Sequence, residues 1–220
     1  MTLHDVLAGL EPEAIPYPLS RLYAMLSGGR VFGDFYRIVA RQVKEKLHAG
    51  RVLDIGTGPG RLPVLIASET PLLHVIGVDL SADMVKMAGE DAGRRGLKNV
   101  GFRQGNASEL PFKDREFDLV LSTLSFHHWK QPEKGLDEVY RVLREGGEAW
   151  IYDIPRRIDK TMFAYMKRKY GFLQAWALRL HALTEPFYKE SEIERLAMES
   201  RFRRHEITRT LIAYKLILYK

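Results

Sequence analysis

The sequence predicts an α/β fold built on a doubly wound, mostly parallel sheet covered by helices on both faces. Three observations carry this. Between Arg51 and Asp153, short runs rich in Val, Ile and Leu alternate with helical stretches of roughly 10–15 residues. Most of these runs are apolar at successive positions, as strands buried on both faces must be. A glycine-rich bend, Gly56-Thr57-Gly58-Pro59-Gly60, joins the first run to a helical stretch.

The elements follow in order. Pro12, Pro16 and Pro18 mark the first 16 residues as an arm, and a helix is expected from Pro18 to Ser27, stopped by Gly28-Gly29. A second helix is expected from Asp34, as its N-cap, to His48, with Phe35, Ile38, Val39, Val43 and Leu47 on one face. Val52 to Ile55 reads as a strand, Leu62 to Ala67 as helix, and Val75 to Asp79 as the next strand. Ser81 caps a helix that runs to Arg95 and stops at Gly96. Val100 to Arg103 and Phe117 to Ser122 are strands. Pro132 opens a helix through Leu143 that Gly146-Gly147 end, and Glu148 to Asp153 is the fifth strand. Beyond Pro155, apolar residues from Phe163 to Leu180 recur at three- and four-residue steps, giving one amphipathic helix or a pair broken near Gly171. Glu192 to Glu199 is a further helix, and Glu206 to Lys220 reads as two strands or a hairpin.

Composition narrows the chemistry. The 220 residues suit one domain, with 45% hydrophobic and 28% charged residues. There is no cysteine, which excludes disulfide scaffolds, thiolate–zinc and iron–sulfur centres, and cysteine nucleophiles. No apolar run reaches the roughly 18 residues of a membrane span, and the N-terminus lacks a signal-peptide layout, so a cytoplasmic location is expected. The net charge of +6 is uneven: residues 156–220 hold 15 Lys/Arg against 7 Asp/Glu, leaving residues 1–155 slightly acidic. That basic third suits an anionic ligand, a nucleic acid or an acidic membrane surface; a solvated face explains it equally.

The glycine bend is the most informative stretch. Glycines there let the backbone approach a ligand, in the crevice beyond the carboxyl ends of the strands where open sheets bind. Arg61 stands where the dinucleotide fingerprint needs glycine or alanine, and no Gly-Lys-Ser/Thr ending marks a phosphate loop. The run is G-x-G-x-G behind Asp54, and Asp79 ends the next strand 25 residues later. An anionic Asp54 repels a pyrophosphate but suits a cationic or amine end, and Asp79 can accept from both hydroxyls of a ribose. Together they describe an adenosine joined to a positively charged group.

In VLDIGTGPG, VIGVDLSADMVKMA, GNASELPF, FDLVLSTLSFHHW and LREGGEAWIYD, spanning Arg51 to Asp153, the chain resembles the class I S-adenosylmethionine-dependent methyltransferases. The nearest group is the methyltransferase type 11, ubiquinone/menaquinone-biosynthesis-like branch. The resemblance implies a Rossmann-like, seven-stranded sheet whose last strand is antiparallel. It implies methyl transfer from S-adenosyl-L-methionine to a small-molecule acceptor by in-line displacement, leaving S-adenosyl-L-homocysteine. By it, Gly56, Thr57, Gly58 and Gly60 line the methionine moiety, with Asp54 acting on the amine side through the loop. Asp79 holds the ribose, Leu80 and Met84 lie against the adenine, Asn106 and Ala107 meet its edge, and Ser122 and Leu124 lie near the methyl. The family commonly has Asp where Asn106 stands; an amide oxygen still accepts from an amine, although turn chemistry alone would also explain Gly105-Asn106.

A general base is needed only where the acceptor must lose a proton. The candidates are His127, preferred over His128 because adjacent loop residues rarely point the same way, and Asp153 at the end of the fifth strand. No metal is expected. Phe32 and Tyr36, with Tyr17, Tyr23, Phe163, Met166, Tyr170 and Trp176, are expected to form a lid suited to an apolar or aromatic acceptor. The loop after the fourth strand lacks the Asn/Asp-Pro-Pro-aromatic signature of amino-methylating enzymes and the acidic residues of arginine methylation. The expected layout is one domain, 1–220: a helical cap (1–50), a cofactor-binding core (51–153), a helical lid or insertion (156–200) and C-terminal strands (201–220). RNA- or protein-directed methylation through the basic third, peripheral membrane contact, and a non-catalytic binding module are the alternatives.

Overall fold

The computed structural model describes residues 29–210 and 212–220. The expected helix from Pro18 to Ser27, and Tyr17 and Tyr23 of the expected lid, lie outside the described residues.

The first described helix, α1 (Arg30–Lys46), buries Val31, Phe35, Val39, Ala40 and Val43 on one face. It begins before Asp34, which corrects the expected N-cap: Gly29 is the cap, because Val31 belongs to the same buried stripe as Phe35. Asp34 instead looks outward from the helix. It pairs with Arg37, accepts from the Tyr170 hydroxyl at 2.8 Å and pairs with Lys169 at 3.0 Å. The Lys169 ammonium, then Tyr170 and Arg37, hold its carboxyl down at about 2.

The chain then alternates as the sequence predicts: β1 (Gly50–Ile55), α2 (Arg61–Glu69), β2 (Leu73–Asp79), α3 (Ala82–Arg94), β3 (Val100–Gln104), β4 (Phe117–Thr123), α4 (Pro132–Val142) and β5 (Leu143–Asp153). Ser81 caps α3 by accepting the Met84 N–H at 3.4 Å, and Gly96 follows its end at φ 68°. Gly146 and Gly147 do not end α4. The helix stops at Val142 and β5 starts at once, so the two glycines sit inside the strand, where its register against β4 shifts. Gly146 has φ 76°, and a Cβ on Gly147 would fall 2.9 Å from the Arg144 carbonyl oxygen, so glycine serves a bulge here.

The C-terminal part holds α5 (Lys160–Tyr170), α6 (Phe172–Thr184), α7 (Glu190–Glu199), β6 (Arg204–Thr210) and β7 (Ala213–Tyr219). Gly171, at φ 95°, breaks the α5–α6 pair where expected. The sheet order is β3-β2-β1-β4-β5-β7-β6, parallel from β3 to β5, with β7 antiparallel to both β5 and β6. This is the seven-stranded sheet that the resemblance implies. Alternation along the strands divides the core: Val52, Leu119, Trp150 and Tyr152 join α1, α2, α5 and α6, whereas Leu53, Val120 and Ile151 join α4 and α7. β1 therefore lies between β2 and β4, at the point where strand order reverses, and its carboxyl end opens the crevice.

Candidate functional site

β1 delivers the bend. Gly56, Gly58 and Gly60 have φ of 71°, 52° and 76°, a region that only glycine enters without strain. The N–H groups of Gly56 and Thr57 donate to the Val78 carbonyl at 2.8 and 2.9 Å, tying the bend to β2. A Cβ on Gly56 would lie 1.9 Å from the Ser125 hydroxyl, so glycine there admits the β4 loop. A Cβ on Gly60 would lie 2.6 Å from the Ala88 methyl and 2.8 Å from the Phe102 ring. Gly60 thus seats α2 against α3 and does not line the crevice, a correction to its expected contact with the methionine moiety. Gly60→Ala is expected to lose about 3 kcal/mol, from the positive φ and the overlap together, lowering Tm by roughly 6–12 °C in a thermal melt.

The cleft at this bend has a volume of about 110 Å³. It brings together nine of the twelve expected cofactor residues: Gly56, Thr57, Gly58, Asp79, Leu80, Met84, Asn106, Ala107 and Leu124. Asp54 and Ser122 are buried behind its wall, as Gly60 is packed beside it. Asp79 accepts the Gly58 N–H at 2.7 Å through Oδ2 and the Ser81 N–H at 2.9 Å through Oδ1. It thereby fixes both the glycine bend and the start of α3, and each oxygen keeps a lone pair. The Asn106 amide oxygen accepts the Ser108 N–H at 2.9 Å, an Asx turn, so an adenine edge would share that acceptor with its own loop.

Asp54 lies under the bend. Its Oδ2 accepts from the Thr57 hydroxyl at 2.8 Å, while Oδ1 is buried with no hydrogen-bond partner. Burial, with the neighbouring Asp79 adding to it against the opposing Thr57 bond, pushes this carboxyl up to about 7. A group raised in the folded state stabilises the fold below its unfolded pKa, and that stability is lost as pH rises, here between about 4 and 7. Asp54→Asn keeps the Thr57 acceptor and removes the titration. At pH 8 the ligand-free variant is expected to gain on the order of 2–4 kcal/mol over the parent, and at pH 4 almost nothing. Melts at the two pH values check this, and an equal pH dependence in both proteins would refute it.

The second half of the site comes from β4 and β5. Leu124 has φ 56°, a conformation that is strained for a branched side chain, and its N–H donates to the Tyr152 carbonyl at 2.8 Å. The following turn, Phe126–His128, presents His127 to Asp153. His127 Nδ1 lies 2.9 and 2.8 Å from the two Asp153 oxygens, and its backbone N–H donates to Oδ2 at 3.0 Å. Asp153 also accepts the Ile154 N–H at 2.9 Å and is fully buried. It therefore cannot touch an acceptor itself, which corrects its expected role as a base and leaves it as the group that orients His127. The carboxylate fixes the proton on Nδ1 and leaves the lone pair on Nε2.

A larger cavity of about 620 Å³ opens beside this pair, walled by Phe32, Tyr36, Leu124, His127, Leu178 and Phe187 among others. The expectation that one histidine at most faces it fails: both line it, and His128 also lines the cleft. His128 is exposed on one side, while desolvation by its surroundings and then the adjacent His127 push it down to about 4. Phe32 and Tyr36 line the cavity. Met166 and Tyr170 pack into the core, and Trp176 is half exposed, so the α5–α6 part of the expected lid does not face the cavity through those residues. Gln174, Ala177, Leu178 and His181 face it instead.

His127, His128 and Glu185 bring ring nitrogens and a carboxylate oxygen within 4.8 Å of one another, a donor set of the zinc type. Its most buried member is already held by Asp153, and Glu185 lies 3.9 Å from His181. Cleft residues not among the expected cofactor contacts include Arg61, Thr123, Ser125 and Trp129. Only Arg61, directly after the bend, carried a positional signal.

Residues 53–151 match a family described as a methyltransferase domain. Over 103 residues the chain is 39% identical to the uncharacterized methyltransferase YcgJ of Bacillus subtilis, covering 47% of this chain and 40% of that protein. Over 105 residues it is 37% identical to the demethylmenaquinone methyltransferase of Thermus thermophilus, covering 48% and 47%. The matched stretch is thus less than half the length of either relative. A solved structure from Methanococcus maripaludis, provisionally assigned as an S-adenosyl-L-methionine-dependent methyltransferase, has a TM-score of 0.72 over 91% of both chains. At 22% identity it shows a shared fold. Among the described residues no helix is long and apolar enough to cross a membrane. Residues 53–151 thus match a methyltransferase domain, and the chain shares the Rossmann-like fold of the Methanococcus maripaludis structure.

Proposed function

We propose that the chain transfers a methyl group from S-adenosyl-L-methionine to a small, largely apolar acceptor. One observation carries the reading: the cleft at the glycine bend and the larger cavity share Tyr36, Leu124 and His128 as walls. A donor in the first and an acceptor in the second would meet at that partition. The donor's chemistry fits the residues present. Asp79 offers two oxygens for ribose hydroxyls, the open backbone of Gly58 allows close approach, and the acidic pair Asp54 and Asp79 suits a cationic ligand better than a diphosphate. When bound, S-adenosylmethionine supplies a methyl carbon on a positively charged sulfur with a neutral thioether as leaving group.

The protein's share is alignment and proton removal. Leu124 and Tyr36 stand in the partition and exclude water there, which keeps the displacement in line and free of hydrolysis. His127 takes the proton of an acceptor hydroxyl or acidic C–H through Nε2, with Asp153 holding Nδ1–H and stabilising the imidazolium that forms. Asp153 is a positioning residue in this scheme. The demethylmenaquinone methyltransferases among the relatives, together with the apolar wall of the larger cavity, favour a small molecule over a polymer as acceptor.

Incubation with methyl-labelled S-adenosylmethionine and parallel pools of extracted metabolites, lipids, RNA and protein tests this. Label is expected in the small-molecule or lipid pool. Label confined to RNA or protein would overturn the acceptor class, and label in no pool would overturn the activity.

A further inference from the structure

Helix α6 is apolar on two sides. Ala175, Leu178 and Ala182 are buried in the core. Phe172, Leu173, Trp176 and Leu183 are 52%, 82%, 51% and 70% exposed, and at 3.6 residues per turn they lie within an arc of about 100°. Exposed large apolar side chains gathered on one helix face mark an interaction surface. The segment beside this face is basic: Lys167 Nζ stands 5.9 Å from the centroid of the Phe172 ring, and Arg179 lies on the helix itself. Residues 156–184 hold seven Lys/Arg, namely Arg156, Arg157, Lys160, Lys167, Arg168, Lys169 and Arg179, all exposed, against Asp159 alone. Asp159 is itself paired with Arg209 at 2.7 Å.

We propose that this face docks on an anionic lipid bilayer, with α6 lying in the interface and Phe172, Leu173, Trp176 and Leu183 entering the headgroup–acyl boundary. An apolar stripe alone would fit a second copy equally well. The charge decides: with Asp159 present and Lys169 paired to Asp34 the segment is still net positive, so two copies meeting through this face would bring like charges together, whereas an anionic surface complements them. An interfacial helix with a basic border binds by apolar burial and electrostatic attraction together. The same helix turns Gln174, Ala177, Leu178 and His181 toward the larger cavity. On the reading of that cavity as the acceptor site, a lipid-dissolved acceptor reaches it along α6. This delivery step rests on the proposed function; the docking does not.

Co-sedimentation of the full chain with phosphatidylcholine vesicles, and with vesicles mixing phosphatidylcholine and phosphatidylglycerol, tests the docking. Trp176 gives a second readout, because Trp129 and Trp150 are buried at 8% and 4% exposure and it alone stands at the surface. At low salt, binding to the anionic vesicles is expected to exceed binding to the neutral ones by about tenfold or more, with a blue shift of the Trp176 emission, and to fall steeply with added salt. Leu173→Ser combined with Leu183→Ser is expected to weaken vesicle binding about tenfold while leaving S-adenosylhomocysteine affinity, measured by calorimetry, unchanged. Equal binding to both compositions, undiminished binding by the double variant, or an unshifted Trp176 overturns the proposal. So does concentration-dependent dimerisation without vesicle binding. Loss of donor affinity in the parent protein would instead strike the proposed function.

Discussion

Asp79→Ala is expected to weaken binding of S-adenosylhomocysteine at least about 100-fold, with a loss of stability beside it. The carboxylate accepts two backbone N–H groups, from Gly58 at 2.7 Å and Ser81 at 2.9 Å. Hydrogen bonds to a charged acceptor contribute roughly 1.5–3 kcal/mol each, and both donors are part-buried. Alanine removes the acceptor for the bend, for the start of α3 and for the sugar in one step. Asp79→Asn separates these roles. Its single oxygen can serve one N–H, and its amide group would face the other as donor against donor, so most of the affinity should vanish although the shape is kept. Calorimetric titration of parent and variants checks this; unchanged affinity in Asp79→Ala would show that this carboxylate does not hold the nucleoside.

The second large effect lies in the wall of the larger cavity. His127→Ala is expected to lower kcat about 10²–10⁴-fold for an acceptor that must lose a proton, with donor affinity nearly unchanged. Asp153→Asn acts through His127. An amide in place of the carboxylate no longer fixes the proton on Nδ1 and no longer stabilises the imidazolium, so kcat should fall by a comparable factor and the pH–rate profile should shift. Because Asp153 also binds the backbone N–H groups of His127 and Ile154, the variant is expected to melt at a lower temperature. The pH profile distinguishes positioning from mere support: a structural role alone would lower the melting temperature and leave the profile where it was.

The sequence speaks most clearly where function depends on short-range backbone chemistry. The glycine bend, the Asp79 tip of β2 and the Ser81 cap are written within a few residues of one another, and the structure places them together. Long-range pairing was less legible. His127 and Asp153 were both expected at the carboxyl edge, yet nothing in a one-dimensional string says that two residues 26 apart share two hydrogen bonds and that one of them is sealed from solvent. Leu124 was expected near the methyl, but its positive φ is imposed by the Tyr152 carbonyl of the neighbouring strand. Asp34 looked like a cap by residue type, whereas its partners Tyr170 and Lys169 lie on a distant helix. The expected lid failed in part for a geometric reason: Gly171 resets the helical phase, so the periodicity running from Phe163 to Leu180 does not describe one face. Tyr170 ends in the core and Trp176 points outward.

The central claim is that the bend after β1 and the carboxylate ending β2 hold a sulfonium nucleoside beside an apolar chamber. A crystal structure of the chain with S-adenosylhomocysteine tests this most directly. The expected result is the ligand along Gly56–Gly58 with both ribose hydroxyls on Asp79 and its sulfur facing the Leu124 partition. A cleft left vacant in such crystals, or an Asp79 carboxylate making no contact with the sugar, would contradict it.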